Sequence, residues 1–152
     1  MSRIGLVVAA HCRVAQEMVK AAELILGPLE AVRAVSMDPH TPVDEMVREL
    51  SEALREVDGG HGVVVVTDLF GGTPSNVALS FAGSRVEVLS GFNLPMLIKF
   101  AEIRNSLPVR EAAQVLRDYG RRHIALASEI LASKTEAKGR ESDHGRSSAP
   151  SH

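Results

Sequence analysis

Aromatic surface, thiols and long apolar runs are all scarce in this chain, and each shortage removes a class of function. Trp is absent, and Phe and Tyr together make up only 3% of the 152 residues. Ring faces of the kind that sandwich flavins or stack unpaired bases are therefore disfavoured. Cys12 is the lone cysteine, so no internal disulfide can form. No stretch approaches the ~20 apolar residues of a bilayer span. The opening Met-Ser-Arg and its short apolar run lead straight into Cys-Arg-Val-Ala-Gln-Glu, with no small-residue cleavage site, and no signal peptide is expected. A net charge of -2 from 17 basic and 19 acidic residues offers no general basic field, which argues against nucleic-acid binding. The expectation is a cytoplasmic protein whose 45% hydrophobic content suffices for a core.

What is present alternates. Arg3–Ala10 is a short, nearly continuous apolar run, the pattern of a strand buried on both faces of a parallel sheet. Val14, Met18, Ala21, Ala22 and Ile25 follow at helical spacing, and Gly27-Pro28 stops that helix. Val32–Met37 reads as a second, weaker strand. Thr41-Pro42 then predicts an N-cap and first residue for a helix with the stripe Val43, Met46, Val47, Leu50 and Leu54. Val63–Thr67 is the clearest strand. Thr73-Pro74 repeats the cap-and-proline pair before a helix through Val77, Ala78 and Phe81. Arg85–Leu89 predicts a fourth strand, and Gly91-Phe92-Asn93-Leu94-Pro95 a loop into a short helix near Met96–Ile103. Pro108 opens one long helical pattern that runs through His123, Leu126 and Ile130 to about Ser133, with Arg110, Arg117 and Arg121 read as a solvated stripe. From Lys134 apolar residues almost vanish, which predicts a disordered polar tail over 134–152 behind a single domain at 1–133.

Such alternation specifies a doubly wound α/β fold, with a mainly parallel sheet and helices on both faces. Right-handed crossovers make the flavodoxin-like order 2-1-3-4 the simplest topology. Strands 1 and 3 are then neighbours at the switch point, where ligands bind beyond the carboxyl ends. His11 ends the first of these runs and Asp68 follows the other. A carboxylate on the imidazole Nδ1–H would fix the tautomer and leave the Nε2 lone pair free as a nucleophile. The adjoining Phe70-Gly71-Gly72-Thr73 opens a helix, and its backbone N–H groups suit a phosphoryl group. An isolated strand-end histidine is more often an ordinary loop residue; the carboxylate and the glycines together favour chemistry.

His11, the run Asp68-Leu69-Phe70-Gly71-Gly72-Thr73-Pro74, and Gly91-Phe92-Asn93-Leu94-Pro95-Met96 resemble the enzyme IIA domain of the mannose-type (mannose/fructose/sorbose) sugar phosphotransferase system. The resemblance runs from about residue 3 to about residue 133. It implies a phosphotransferase in which His11 accepts a phosphoryl group from the histidine phosphocarrier protein and passes it to a IIB component for carbohydrate uptake. It further implies that Asp68 orients His11, and that the domain is a homodimer exchanging an edge strand. Any association with a membrane would be through a IIC/IID complex, not by insertion. Cys12 departs from the pattern, standing where these domains usually carry Gly. With no IIB segment read in the chain, a second reading is a regulatory sensor of phosphorylation state that binds a partner protein without serving a sugar transporter.

Related folds fit less well. A receiver domain needs an acidic pair after strand 1 to hold Mg²⁺, and Ala9-Ala10-His11 cannot supply it. A flavodoxin wants a hydroxyl-rich loop there and flanking aromatics. A dihydroxyacetone-kinase phosphotransfer subunit shares fold and histidine, yet would not be expected to carry Phe70-Gly71-Gly72-Thr73-Pro74. His40 and His61 sit in polar turns, His123 falls on the last helix's apolar stripe, and His144 and His152 lie in the tail. None pairs at metal-ligand spacing, so neither a metal nor a cofactor is expected.

Overall fold

Parallel strands buried on both faces must be apolar on every residue, and two runs in this chain meet that demand at the centre of the sheet. The structure, a computed structural model, describes residues 3–144. Among them four strands pair in parallel in the order β2-β1-β3-β4: β1 (Gly5–His11), β2 (Val32–Met37), β3 (Val63–Thr67) and β4 (Val86–Ser90). Residues 6–10 of β1 and all of β3 are at most 1% exposed. β4, at one edge, is half-buried throughout, which accounts for its partial alternation.

Helices cover both faces. Ile4, Leu6, Val8 and Ala10 point toward α1 (Val14–Leu26), α4 (Leu94–Ile103) and α5 (Val109–Arg122), where Phe100, Leu97 and Leu116 fill the core. Val7, Ala9, Val63 and Val65 point the other way, onto Met46, Leu50 and Ala53 of α2 (Val43–Val57) and Val77 and Ala78 of α3 (Thr73–Leu79). The expected doubly wound architecture and its 2-1-3-4 order are both present. The chain divides into two units, residues 1–121 and 122–152. In the second, α6 (Ala127–His144) is the described element.

Three details differ from the sequence expectation. Neither Thr41 nor Thr73 is a side-chain cap. α2 follows Pro42 with no side-chain cap bond; the preceding turn is closed instead by Asp38, whose carboxylate accepts the His40 N–H and whose carbonyl accepts that of Thr41. α3 begins at Thr73 itself, with Gly72 in the cap position. The single long helix expected after Pro108 is two, α5 and α6, with His123 exposed in the break between them. Its apolar spacing continues through Leu126 and Ile130, but these side chains are exposed, and periodicity without a core to face does not hold one helix together. Finally, α6 runs as helix to His144 where disorder was expected from Lys134. Its Ala, Glu, Lys and Arg are residues of high helix propensity. Residues 145–152 of that expected tail lie outside the described residues.

Two polar side chains hold the frame. Asn93 caps α4 by accepting the Met96 N–H at 3.1 Å and donates to the Gly120 carbonyl at 2.9 Å. A Cβ on Gly120 would lie 2.9 Å from Met96 Cε and 3.3 Å from Asn93 Oδ1, so a larger residue there would make the Met96 tip and the Asn93 cap shift. Arg104, 4% exposed, donates to the carbonyls of Ile4, Glu30 and Ala31 and lies over the Phe100 ring. Burial, helped by Arg3 and opposed by Glu30, pushes its pKa down to about 10, so it stays charged at neutral pH. Arg104→Met is expected to cost about 2–4 kcal/mol in urea denaturation, because buried carbonyls lose charged donors. An unchanged midpoint would show those carbonyls to be satisfied without it.

Candidate functional site

β1 and β3 are adjacent and in register, Ala9 opposite Thr67, so the residues just beyond them meet. The Asp68 carboxylate turns toward His11 and places Oδ2 2.8 Å from Nδ1 and 3.0 Å from the His11 backbone nitrogen. One oxygen thus accepts both the ring N–H and the main-chain N–H of the same residue. Oδ1 is buried with no hydrogen-bond partner among the described residues. Burial alone would raise the Asp68 carboxyl. Bonds from the His11 ring, from its backbone N–H and from Asp68's own N–H outweigh that and hold it below the ordinary carboxylate range. With Nδ1–H donated to an ionised carboxylate, Nε2 carries the lone pair. The His11 side chain is 40% exposed and Asp68 20%, which suits a nucleophile open to a partner and an orienting group held behind it.

The glycine-rich loop meets the ring at Gly72. A Cβ there would lie 3.1 Å from His11 Cε1 and 3.7 Å from Nε2, so glycine leaves room at the nucleophilic edge. Gly71 has a φ of +82° with open space around it; conformation, not crowding, requires glycine there. Phe70, Gly71 and Thr73 are exposed on the same loop, and the hydrogen bonds of His11 are to Asp68, not to them. Gly72→Ala keeps an accessible φ but presses on the imidazole. The expected result is a change in melting temperature of a few degrees at most, with phosphoryl acceptance slowed by about 10- to 100-fold through misplacement of the ring. An unaltered rate would place the reacting edge elsewhere.

Sequence reasoning missed the supports beneath this site. Thr67 donates to the Ser90 hydroxyl at 2.8 Å, and Ser75 lies 3.0 Å from the same hydroxyl. Buried Thr67 and Ser75, with half-buried Ser90, tie the carboxyl ends of β3 and β4 to the first turn of α3. The Thr67 carbonyl also accepts the N–H groups of Gly91 and Phe92, fixing the second loop of the site. On the other side, Ser36 of β2 donates to the Cys12 carbonyl and Gln16 of α1 donates to Ser36. Cys12 has a φ of +53°, a left-handed conformation that costs a non-glycine residue about 1 kcal/mol. A hydroxyl near the carboxyl end of β2, Ser36, was the available signal. Among the described residues no group of three His, Cys, Asp or Glu side chains is placed to hold a metal ion.

Comparison with known proteins gives the family. A family model described as PTS system fructose IIA component, PTS being the phosphotransferase system, matches residues 5–116, a span that contains His11, Asp68 and the glycine-rich loop. The chain is 34% identical over 119 residues to the Escherichia coli (strain K12) protein YadI, whose name assigns it to the phosphotransferase enzyme IIA components; the match covers 77% of this chain and 82% of that one. It is 29% identical over 107 residues to the PTS system mannose-specific EIIAB component of the same organism, covering 69% of this chain and 33% of the relative. Among solved structures it is similar to the PTS IIA protein associated with the fucose utilization operon from Streptococcus pneumoniae, with a TM-score of 0.75 and 27% identity over 86% of this chain and 99% of that one.

Proposed function

The chain belongs to the PTS fructose IIA component family, and from that premise we propose that it is a phosphohistidine carrier in which His11 takes a phosphoryl group through Nε2. The observation that carries this reading is the 2.8 Å contact of His11 Nδ1 with Asp68, with Gly72 leaving the opposite edge of the ring open. The lone pair of Nε2 attacks the phosphorus of a phosphohistidine on the histidine phosphocarrier protein. A P–N bond forms on His11 as the one to the donor breaks. Asp68 keeps the Nδ1 proton and offsets the positive charge that develops on the ring.

The phosphoryl group brings close to two negative charges toward Asp68. Phe70, Gly71, Gly72 and Thr73 contain no cationic side chain; their backbone N–H groups and the Thr73 hydroxyl are the donors proposed to hold its oxygens. Neutral dipoles stabilise the group without trapping it, which suits onward transfer to a IIB component. The residues following His11 and Asp68 include the exposed apolar side chains Val14, Leu69 and Phe70, a surface fit for a protein donor and acceptor rather than a small molecule. No helix among the described residues is long and apolar enough to cross a membrane. The proposal includes a homodimer: β4 is a half-buried edge strand on which a strand from a second copy could pair.

The test is incubation with the phosphocarrier protein, its kinase and phosphoenolpyruvate, followed by ³¹P NMR and mass spectrometry. One acid-labile phosphate on Nε2 of His11 is expected. No uptake, or phosphate on another residue, would overturn the reading. Chasing the phosphorylated chain with a IIB protein separates the two roles: rapid discharge supports transport, and retention favours the regulatory sensor.

A further inference from the structure

We propose that Ser36 and Gln16 are positioning residues for His11, acting through the backbone of Cys12; the proposal rests on the carrier reading above. Ser36 sits on β2 opposite Ala10, one register position before the Met37–His11 pair. Its hydroxyl donates to the Cys12 carbonyl at 2.6 Å, and Gln16 Nε2 lies 2.5 Å from it. A hydroxyl has one proton to give. Since that proton is spent on the carbonyl, the second contact must come from a donor, which sets the Gln16 amide with nitrogen toward Ser36.

The consequence for Gln16 is telling. Its Oε1 is turned away, buried and without a hydrogen-bond partner among the described residues, and such an atom is costly. Methionine, of similar length, would fill the same space without that cost. What glutamine adds is the N–H that fixes the Ser36 hydroxyl in its donating orientation.

The Cys12 carbonyl needs fixing because Cys12 is held at a φ of +53°, where an L-residue is strained and glycine is not. If the turn relaxed, the backbone carrying the imidazole would rotate. His11 is instead held from two sides: Asp68 takes its backbone N–H, and Ser36 takes the carbonyl of the next residue. Ser36 and Gln16 are not among the imidazole's hydrogen-bond partners, so they act by aim, not by contact. A glycine at position 12 should make the clamp far less necessary.

The experiment compares wild type, Ser36→Ala, Ser36→Thr, Gln16→Met and the double variant Ser36→Ala/Cys12→Gly in the full chain. It reads the rate of phosphorylation by the phosphocarrier protein, the His11 side-chain ¹⁵N resonances and the melting temperature. Ser36→Ala is expected to slow uptake by about tenfold or more and to shift or broaden the His11 resonances. Ser36→Thr, which keeps the hydroxyl, and the Cys12→Gly double variant each recover most of the rate. Gln16→Met moves in the same direction as Ser36→Ala, and carries the comparison if Ser36→Ala does not fold. The proposal is overturned by a wild-type rate and unchanged resonances in Ser36→Ala, or by a loss that Cys12→Gly fails to restore. If the wild-type chain takes up no phosphate, the carrier reading falls, while the His11 resonances across the same variants still decide the clamp.

Discussion

His11→Ala should abolish acid-labile phosphate uptake while leaving a folded chain. The loss is expected to be complete, because His11 is the side chain the geometry arms as a nucleophile: Asp68 is committed to His11, and neither the Thr73 hydroxyl nor the exposed Cys12 thiol has a base placed to activate it among the hydrogen bonds described. The structural cost is small by the same geometry. Asp68 Oδ2 accepts the backbone N–H of residue 11, a bond alanine retains, so the carboxylate is not left wholly unpaired. Loss of the ring bond should cost about 1–2 kcal/mol. Mass spectrometry before and after mild acid treatment, beside a thermal melt, checks both halves. Phosphate persisting in His11→Ala would remove His11 from the role.

Substitution of Asp68 should separate orientation from charge. Asn can place its carbonyl oxygen where Oδ2 now sits, because the His11 backbone N–H demands an acceptor there. The tautomer would then survive and only the negative charge be lost. Asp68→Asn is therefore expected to slow transfer by on the order of 10- to 100-fold, less than a reactive His–Asp pair loses when the tautomer is wrong as well. Asp68→Ala, which frees the ring as well, should cost on the order of 1,000-fold. Single-turnover phosphorylation measures both, and equal rates for wild type and Asp68→Ala would make the residue merely structural.

Asp68 also carries a pH signature. Its carboxyl lies below the ordinary range in the fold, the bonds from His11 outweighing burial. A depressed carboxylate contributes stability above its unfolded pKa of about 3.9 and loses it as pH falls through the folded value. The stability gap between wild type and Asp68→Asn should be present at about pH 5 and close below about pH 4. A gap that persisted into acid would mean the carboxylate is not stabilised by these bonds.

Much of the fold was legible because its cause is local. Residues 4–10 and 63–66 are apolar without interruption since both faces of β1 and β3 are covered, and helical spacing at Met46, Leu50 and Leu54 marks the face α2 buries. Right-handed crossovers then place His11 beside Asp68 before any contact is measured. The helix starts were misjudged at Thr41 and Thr73 because a hydroxyl beside a proline signals a cap only where its geometry reaches a free N–H. The join at 123–126 was misjudged because apolar spacing does not say whether a core lies beneath.

The sequence by itself determined the layers, the strand order and which two loops share the site, because burial pattern and chain handedness are properties of segments. Tertiary structure alone decided how the site is held. Whether one Asp68 oxygen takes two bonds, whether Ser36 reaches the Cys12 carbonyl from a neighbouring strand, and whether Arg104 is a surface charge or a buried tie between Ile4, Glu30 and Ala31 depend on ångström distances between residues far apart in the chain. Hydrogen bonds fall off within fractions of an ångström and carry no periodicity along the sequence, so no pattern of residues announces them.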